Sequence, residues 1–177
     1  MKQYSINQQK FLSEPELENL TRVLESSKEK NHRDVVLLFT LIYTGARVQE
    51  VLNIQGADLN DVEQTVLIRG LKGSNDRELA VPPWLYRELM SLRAKHTGGR
   101  LFPISYNRVF QLWTLYRPVP KKLHSLRHTF AIRLYKACRD IRFVQLMLGH
   151  RSINNTMVYA TYVHSNEEMR KELRRIW

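Results

Sequence analysis

The stretch His124-Ser-Leu-Arg-His-Thr-Phe-Ala131 decides how this chain is read. Leu126, Phe130 and Leu134 recur at i, i+4 and i+8, the core-facing stripe of a helix over 124–137. His124 and Arg127 are three residues apart, so they share a polar face of that helix. His128 stands about 100° round the axis from Arg127 and reads as a structural histidine. An imidazole beside a guanidinium suits an oxyanion. It does not suit a metal cation, which Arg127 would repel.

Working outward toward the C-terminus, Ile141–Leu148 is another helical run. Gly149 falls where a left-handed residue would end it, leaving His150 at a sharp turn. Thr156-Met-Val-Tyr159 follows, with Tyr162 just beyond. On local grounds either tyrosine could be a packing residue. Asn166–Trp177 is amphipathic, with Met169, Leu173, Ile176 and Trp177 on one face.

Toward the N-terminus, Ser105–Leu115 and Trp84–Lys95 carry helical patterns. Thr65–Arg69 and Glu78–Val81 are β-rich runs around the polar tip Leu71-Lys-Gly-Ser-Asn-Asp76, a hairpin signal. Lys72 on that tip could reach over a substrate and donate a proton, or be a solvated turn lysine. Thr44-Gly45 separates an apolar helix, Asn31–Tyr43, from a short one, Arg47–Ile54, whose Val48, Val51 and Leu52 face inward. Arg47 could fork onto a phosphate or carboxylate, held by Glu50 at i+3. Taken alone, the pair reads first as a structural ion pair. Ser13-Glu-Pro-Glu16 is a capping box with Pro at the helix start, followed by the stripe Leu17, Leu20, Leu24. The expected fold is mainly α with one small antiparallel β-sheet, an α+β class.

Composition bounds the partners. The 177 residues, 43% hydrophobic, suit one compact domain with a real core. A lone cysteine, Cys138, excludes internal disulfides and four-cysteine zinc sites, and fits a reducing cytosol. The longest apolar stretch, Val35–Tyr43, is far too short to span a bilayer, and the first ten residues lack a signal-peptide core. The net charge is +11, and the excess sits in one half: residues 91–177 hold 17 basic and four acidic side chains. Such a half suggests a polyanion, most simply nucleic acid. An anionic membrane surface and a partnerless basic surface are the competitors.

Several chemistries fail on their own requirements. His124, His128 and His150 offer a metal-like spacing, but Arg127 lies among them and no Glu follows His124 as in zinc-protease helices. No nucleophile elbow, P-loop or dinucleotide glycine fingerprint is present.

Read in order, Thr44-Gly-Ala-Arg47, Lys72-Gly-Ser-Asn-Asp-Arg77 with Val81-Pro82, His124–Ala131, Val144-Gln-Leu-Met-Leu-Gly-His150 and Thr156–Tyr159 closely resemble the tyrosine recombinases, or phage-integrase family. The resemblance runs from about Phe11 to about His164. It implies the tyrosine recombinase catalytic-domain fold over 1–177, with 1–10 an N-terminal extension and 165–177 a C-terminal helical tail. The family's N-terminal core-binding domain would be absent. It further implies a catalytic set of Arg47, Lys72, His124, Arg127, His150 and Tyr159, supported by Glu50. Tyr159, nine residues past His150, would be the nucleophile rather than Tyr162. Arg47 and Arg127 would grip the scissile phosphate, His124 and His150 would help bind or protonate it, and Lys72 would be the general acid. The partner would be double-stranded DNA, cut and resealed through a 3′-phosphotyrosine without metal or cofactor. Strand exchange would run in a homo-tetramer assembled through the C-terminal tail. The alternatives are type IB topoisomerase-like DNA relaxation and a non-catalytic DNA-binding regulatory module.

Overall fold

The computed structural model describes residues 6–95, 99–163, 170 and 173–177. Helix α1 (Glu14–Ser27) starts at the expected capping box: the Glu16 N–H donates to Ser13 Oγ and the Ser13 N–H to Glu16 Oε2. Its buried face is Leu17, Leu20 and Leu24. Helix α2 (His32–Thr44) is apolar on nearly every side because it is the central rod, packed by α1 and by later helices. Its two buried threonines satisfy themselves on the helix: Thr40 Oγ1 donates to the Val36 carbonyl and Thr44 Oγ1 to the Thr40 carbonyl.

Gly45 ends α2 in the left-handed region, at φ +58°. A Cβ there would meet the Phe130 ring at 2.3 Å, so glycine is needed for space as well as for backbone. Helix α3 (Val48–Leu52) follows at once, its Val51 and Leu52 buried and Val48 partly so.

The expected hairpin is a three-stranded antiparallel meander, β1 (Leu59–Asn60), β2 (Thr65–Ile68) and β3 (Arg77–Ala80). Val66 pairs with Leu79, and Val66, Ile68 and Leu79 are buried against the helices. The added strand is only two residues long, too short to carry a period-2 signal. Helices α4 (Pro83–Lys95) and α5 (Tyr106–Tyr116) complete the first layer.

Helix α6 (Ser125–Cys138) lies between α2 on one side and α7 (Ile141–Leu148) and α8 (Asn154–Val163) on the other. Its burial is correspondingly wider than a single stripe. Leu126, Ala131, Ile132 and Tyr135 are buried, whereas Phe130 and Leu134 are only partly so. Helix α8 escaped the sequence reading because Asn154-Asn-Thr-Met-Val mixes polar and β-branched residues without a helical period. Tertiary contact holds it, through Thr156, Tyr159 and Ala160, all buried.

Two hydrophobic clusters result among the described residues. The larger joins α1–α5, the sheet and Leu126; the smaller joins Phe11, the C-terminal half of α6, α7 and α8. Arg127, His128 and Thr129 fall at the seam between them, a row of buried polar residues at the N-terminal end of α6. Of the expected C-terminal tail, Met169 lies outside the described residues, while Leu173, Ile176 and Trp177 are exposed, Trp177 at 96%. Among the described residues no helix is long and apolar enough to cross a membrane.

Candidate active site

The seam gathers residues from five elements. Arg47 caps the N-terminus of α3, where the extended backbone after Gly45 turns it. Its backbone N–H donates to Glu50 Oε2 (2.9 Å) and its Nη1 to Glu50 Oε1 (3.0 Å). Glu50 is fully buried, and its Oε2 also accepts from Arg77 Nη2 at 2.7 Å. Burial alone would raise the Glu50 pKa. The Arg77 hydrogen bond and charge, the Arg47 N–H and the nearby Arg127 outweigh it and hold the carboxyl below its ordinary value.

Arg127 is 3% exposed, and its guanidinium is aimed by backbone. Nη1 donates to the Gly45 carbonyl (2.7 Å) and Nη2 to the Leu148 carbonyl (2.9 Å), so the ends of α2 and α7 both hold it. Burial and the Arg47 charge pull its pKa down to about 10, which leaves it a cation at neutral pH.

His150 Nε2 lies 2.8 Å from Arg127 Nη2, and its Nδ1 2.9 Å from Thr156 Oγ1. A guanidinium can only donate, so Nε2 accepts and Nδ1 carries the proton to the threonine; the network assigns this tautomer. Burial and the surrounding Arg127, Arg47 and Arg77 push its pKa down to about 3, so it is neutral. Gly149, at φ +69°, makes the turn that presents it.

His124 is exposed at the rim, its ring edge-on to that of His128, with centroids 4.7 Å apart. Lost hydration on the packed side and the charges of Arg127 and Arg47 lower its pKa to about 4. His128, read from sequence as a structural residue, is buried with Nδ1 3.1 Å from the Tyr159 hydroxyl. Burial, His124 and Arg127 bring its pKa to about 4 as well. Tyr159 is 2% exposed. The Tyr162 side chain lies outside the described residues.

Lys72 is exposed on the turn closed by the Ser74 N–H to the Leu71 carbonyl. Among the described residues no hydrogen bond or ion pair holds it. Ser74 and Asn75, just beyond, are docked on the His150 turn: the Asn75 N–H (2.8 Å) and Ser74 Oγ (3.0 Å) both donate to the Gly149 carbonyl. The structure therefore brings Arg47, Glu50, Arg127 and His150 together, with His124 on the rim and Lys72 on an adjoining turn. Arg77 and His128 are buried neighbours of the site that sequence reasoning passed over. Arg77 was visible only as a residue of the hairpin motif.

A cavity of about 240 Å³ opens between Arg47, Gln49, Leu71, Tyr106, His124 and Arg127. Its charged lining is two guanidiniums, and the Glu50 carboxylate is already spent on Arg47 and Arg77. Two fixed guanidiniums at an open cavity form a site for a tetrahedral oxyanion, and the buried Tyr159 phenol of α8 is bonded to His128, the residue after Arg127 on α6. Among the described residues no cluster of three His, Cys, Asp or Glu side chains could hold a metal ion.

Residues 10–169 match the model of the phage integrase family, and the chain belongs to that family. The chain is 28% identical over 165 residues to the tyrosine recombinase XerA of Pyrococcus furiosus, covering 85% of this chain and 57% of the relative. To the tyrosine recombinase XerC of Bacillus licheniformis it is 35% identical over 183 residues, covering 90% and 58%. Among solved structures, the XerH site-specific recombinase bound to its difH substrate in a pre-cleavage complex matches with TM-score 0.67 at 25% identity, covering 85% of this chain and 50% of that one. The XerA recombinase crystal structure matches with TM-score 0.69 at 27% identity, covering 92% and 62%. The chain thus spans little more than half the length of these relatives. The fold is that of tyrosine recombinase catalytic domains, mainly α with a small antiparallel sheet, as the sequence led us to expect.

Proposed function

We propose that this chain is the catalytic domain of a site-specific DNA recombinase that cleaves and reseals duplex DNA through a 3′-phosphotyrosine at Tyr159. The observation that carries the reading is the pair Arg47 and Arg127 at one cavity, with Tyr159 on the next helix across α6. The relatives named as recombinases, and a neighbour captured on its DNA substrate, support the same partner.

A phosphodiester repels nucleophiles, and its transition state gathers more negative charge on the equatorial oxygens. Arg47 and Arg127, already anchored, bind that charge better as it grows and need no reorganisation. His150 steadies Arg127 from the side, and His124 faces the same cavity from its rim. A free phenol has a pKa near 10, so roughly one in a thousand is ionised at neutral pH. The field of the two guanidiniums favours the phenolate, formed as the phenol gives its proton to solvent. Tyr159 Oη bonds to phosphorus as the bond to the 5′ oxygen breaks, and Lys72 protonates that oxygen, which is far more basic than phenolate. The tyrosyl ester conserves the bond energy, so another 5′ hydroxyl can reseal the strand without metal or cofactor.

Strand exchange between duplexes needs several subunits on DNA. The exposed Leu173, Ile176 and Trp177 are the apolar side chains with which the C-terminal tail would dock on a neighbour in a tetramer.

The deciding experiment incubates the protein with a nicked suicide library of random duplex sequence, without metal, followed by a denaturing gel. A covalent DNA adduct is expected from the wild type and none from Tyr159→Phe, with DNA binding retained. An adduct in the Phe variant would overturn the nucleophile assignment. Relaxation of supercoiled plasmid without strand exchange would point to topoisomerase-like activity. DNA binding with no adduct under any condition would favour a regulatory module.

A further inference from the structure

Arg77 is the first residue of β3 and is almost fully buried. A buried guanidinium persists only when its donors are spent on good acceptors. Here Nη2 donates to Glu50 Oε2 (2.7 Å), Nε to the Met147 carbonyl (2.9 Å) and Nη1 to the Asn75 carbonyl (3.5 Å). Those three acceptors lie on α3, at the C-terminal end of α7 and on the hairpin itself. One planar fork therefore pins together the segment that presents Arg47, the turn that presents His150 and the hairpin that carries Lys72. Lysine, a single point donor on a flexible stem, cannot span the Met147 carbonyl and Glu50 at once.

The joint is tight where it meets the hairpin. Gly149 has no room for a side chain: a Cβ would lie 2.7 Å from the Asn75 carbonyl oxygen and 2.8 Å from Arg77 Nη1. Ser74 Oγ and the Asn75 N–H close on the Gly149 carbonyl, and Ser74 forms a bridge with His150. Two residues before Ser74 stands Lys72, exposed and held by nothing among the described residues. The base of its turn is thus clamped while Lys72 itself stands exposed.

We infer that Arg77 is a positioning residue for proton delivery: it fastens the Lys72 hairpin to the Gly149-His150 turn, so that the ammonium meets the departing oxygen. This rests on the reading that Lys72 protonates the 5′ oxygen during cleavage at Tyr159. In that step the electron pair of the P–O5′ bond stays on O5′, a proton passes from Lys72 Nζ to it, and Lys72 is left neutral. Displacing the hairpin base would misplace the proton donor, while Arg47 keeps its bond to Glu50 and Arg127 its bonds to the Gly45 and Leu148 carbonyls, so both still face the phosphate.

The test uses the full chain on a duplex site recovered from the adduct library, in single turnover. One substrate carries the ordinary 5′ oxygen at the scissile bond, the other a bridging 5′ sulfur, whose thiolate leaves without a proton. Arg77→Lys is expected to slow adduct formation on ordinary DNA by about 10- to 100-fold, the effect of a misplaced catalytic group. On the sulfur substrate it should run close to the wild-type rate. In a Lys72→Ala background, Arg77→Lys should slow ordinary DNA no further, because the two act through one step. Equal slowing on both substrates would overturn the inference, since Arg77 would then act on the phosphate clamp or on the fold. No slowing in a folded variant would overturn it too. Ser74→Ala, which loosens the same joint without unpairing Glu50, carries the comparison if Arg77→Lys does not fold. A wild type that forms no Tyr159-dependent adduct on either substrate would remove the underlying reading. A working wild type with the wrong substrate pattern removes only the role of Arg77.

Discussion

The Tyr159 hydroxyl and His128 Nδ1 stand 3.1 Å apart, a polar link across the α6–α8 interface. Low pKa keeps the His128 ring neutral, so it retains a lone pair for this hydrogen bond at physiological pH. His128→Leu removes that partner and is expected to lower stability by about 1 kcal/mol, the net value of a typical hydrogen bond. His128→Asn places an amide near the position of Nδ1 and should recover part of the loss. Urea denaturation of both variants checks this, and equal loss in the two would exclude the hydrogen bond as the cause.

The buried histidines set a pH window. His128 and His150 have folded pKa values of about 4 and about 3, against 6.5 for a free imidazole. Between those values the unfolded chain binds more protons than the folded one, so stability rises with pH across the window. It is therefore fully present above pH 6.5 and is lost as pH falls toward 4. Carboxylates such as Glu50, held low, act only below their ordinary range near 4.5. A fall in urea midpoint between pH 6.5 and 5 thus reads the histidines, and His150→Asn should flatten it. An unchanged slope in that variant would contradict the assignment.

Glu50 shares one buried carboxylate between Arg47 and Arg77. Glu50→Gln leaves two guanidiniums without their counter-charge, and breaking a buried pair costs about 3–5 kcal/mol. Thermal melting should show the loss, and single-turnover cleavage by the folded fraction should slow. A variant as stable as the wild type would show that water compensates the arginines.

Arg127→Lys keeps the charge but loses the fork that reaches both the Gly45 and Leu148 carbonyls. Cleavage is expected to drop about 100- to 1,000-fold, the loss typical of one preorganised oxyanion donor. DNA affinity should change far less, because one phosphate contact among several supplies it. Filter binding and adduct rates measured on the same preparation separate the two.

Gly149→Ala is expected to damage the fold more than Gly45→Ala, although both glycines have positive φ. At Gly45 the obstacle is the Phe130 side chain, which is partly exposed and has to shift on α6 to make room. At Gly149 it is the Asn75 carbonyl, backbone fixed in the joint. Melting temperatures of the two variants give the order.

Local signals were legible wherever a few neighbouring residues suffice. The Ser13–Glu16 capping box, the limits Ile141–Leu148 of α7 and the left-handed Gly149 all rest on interactions within about five residues, and each stands in the structure as read. The ordered motifs marked Arg47, Lys72, Arg127, His150 and Tyr159 as the residues to examine, together with the family to which the chain belongs. The short strand β1 and helix α8 were not legible, because their residues lack periodicity and are stabilised by what packs on them. Arg77 and His128 were hidden for a related reason. Their partners lie 27, 70 and 31 residues away in the chain, and no spacing rule reaches that far. The sequence by itself determined which chemical groups are present and which local turns hold them. Only the tertiary structure decided which buried donor meets which acceptor, because a polar group taken from water must find its partner wherever the fold brings one.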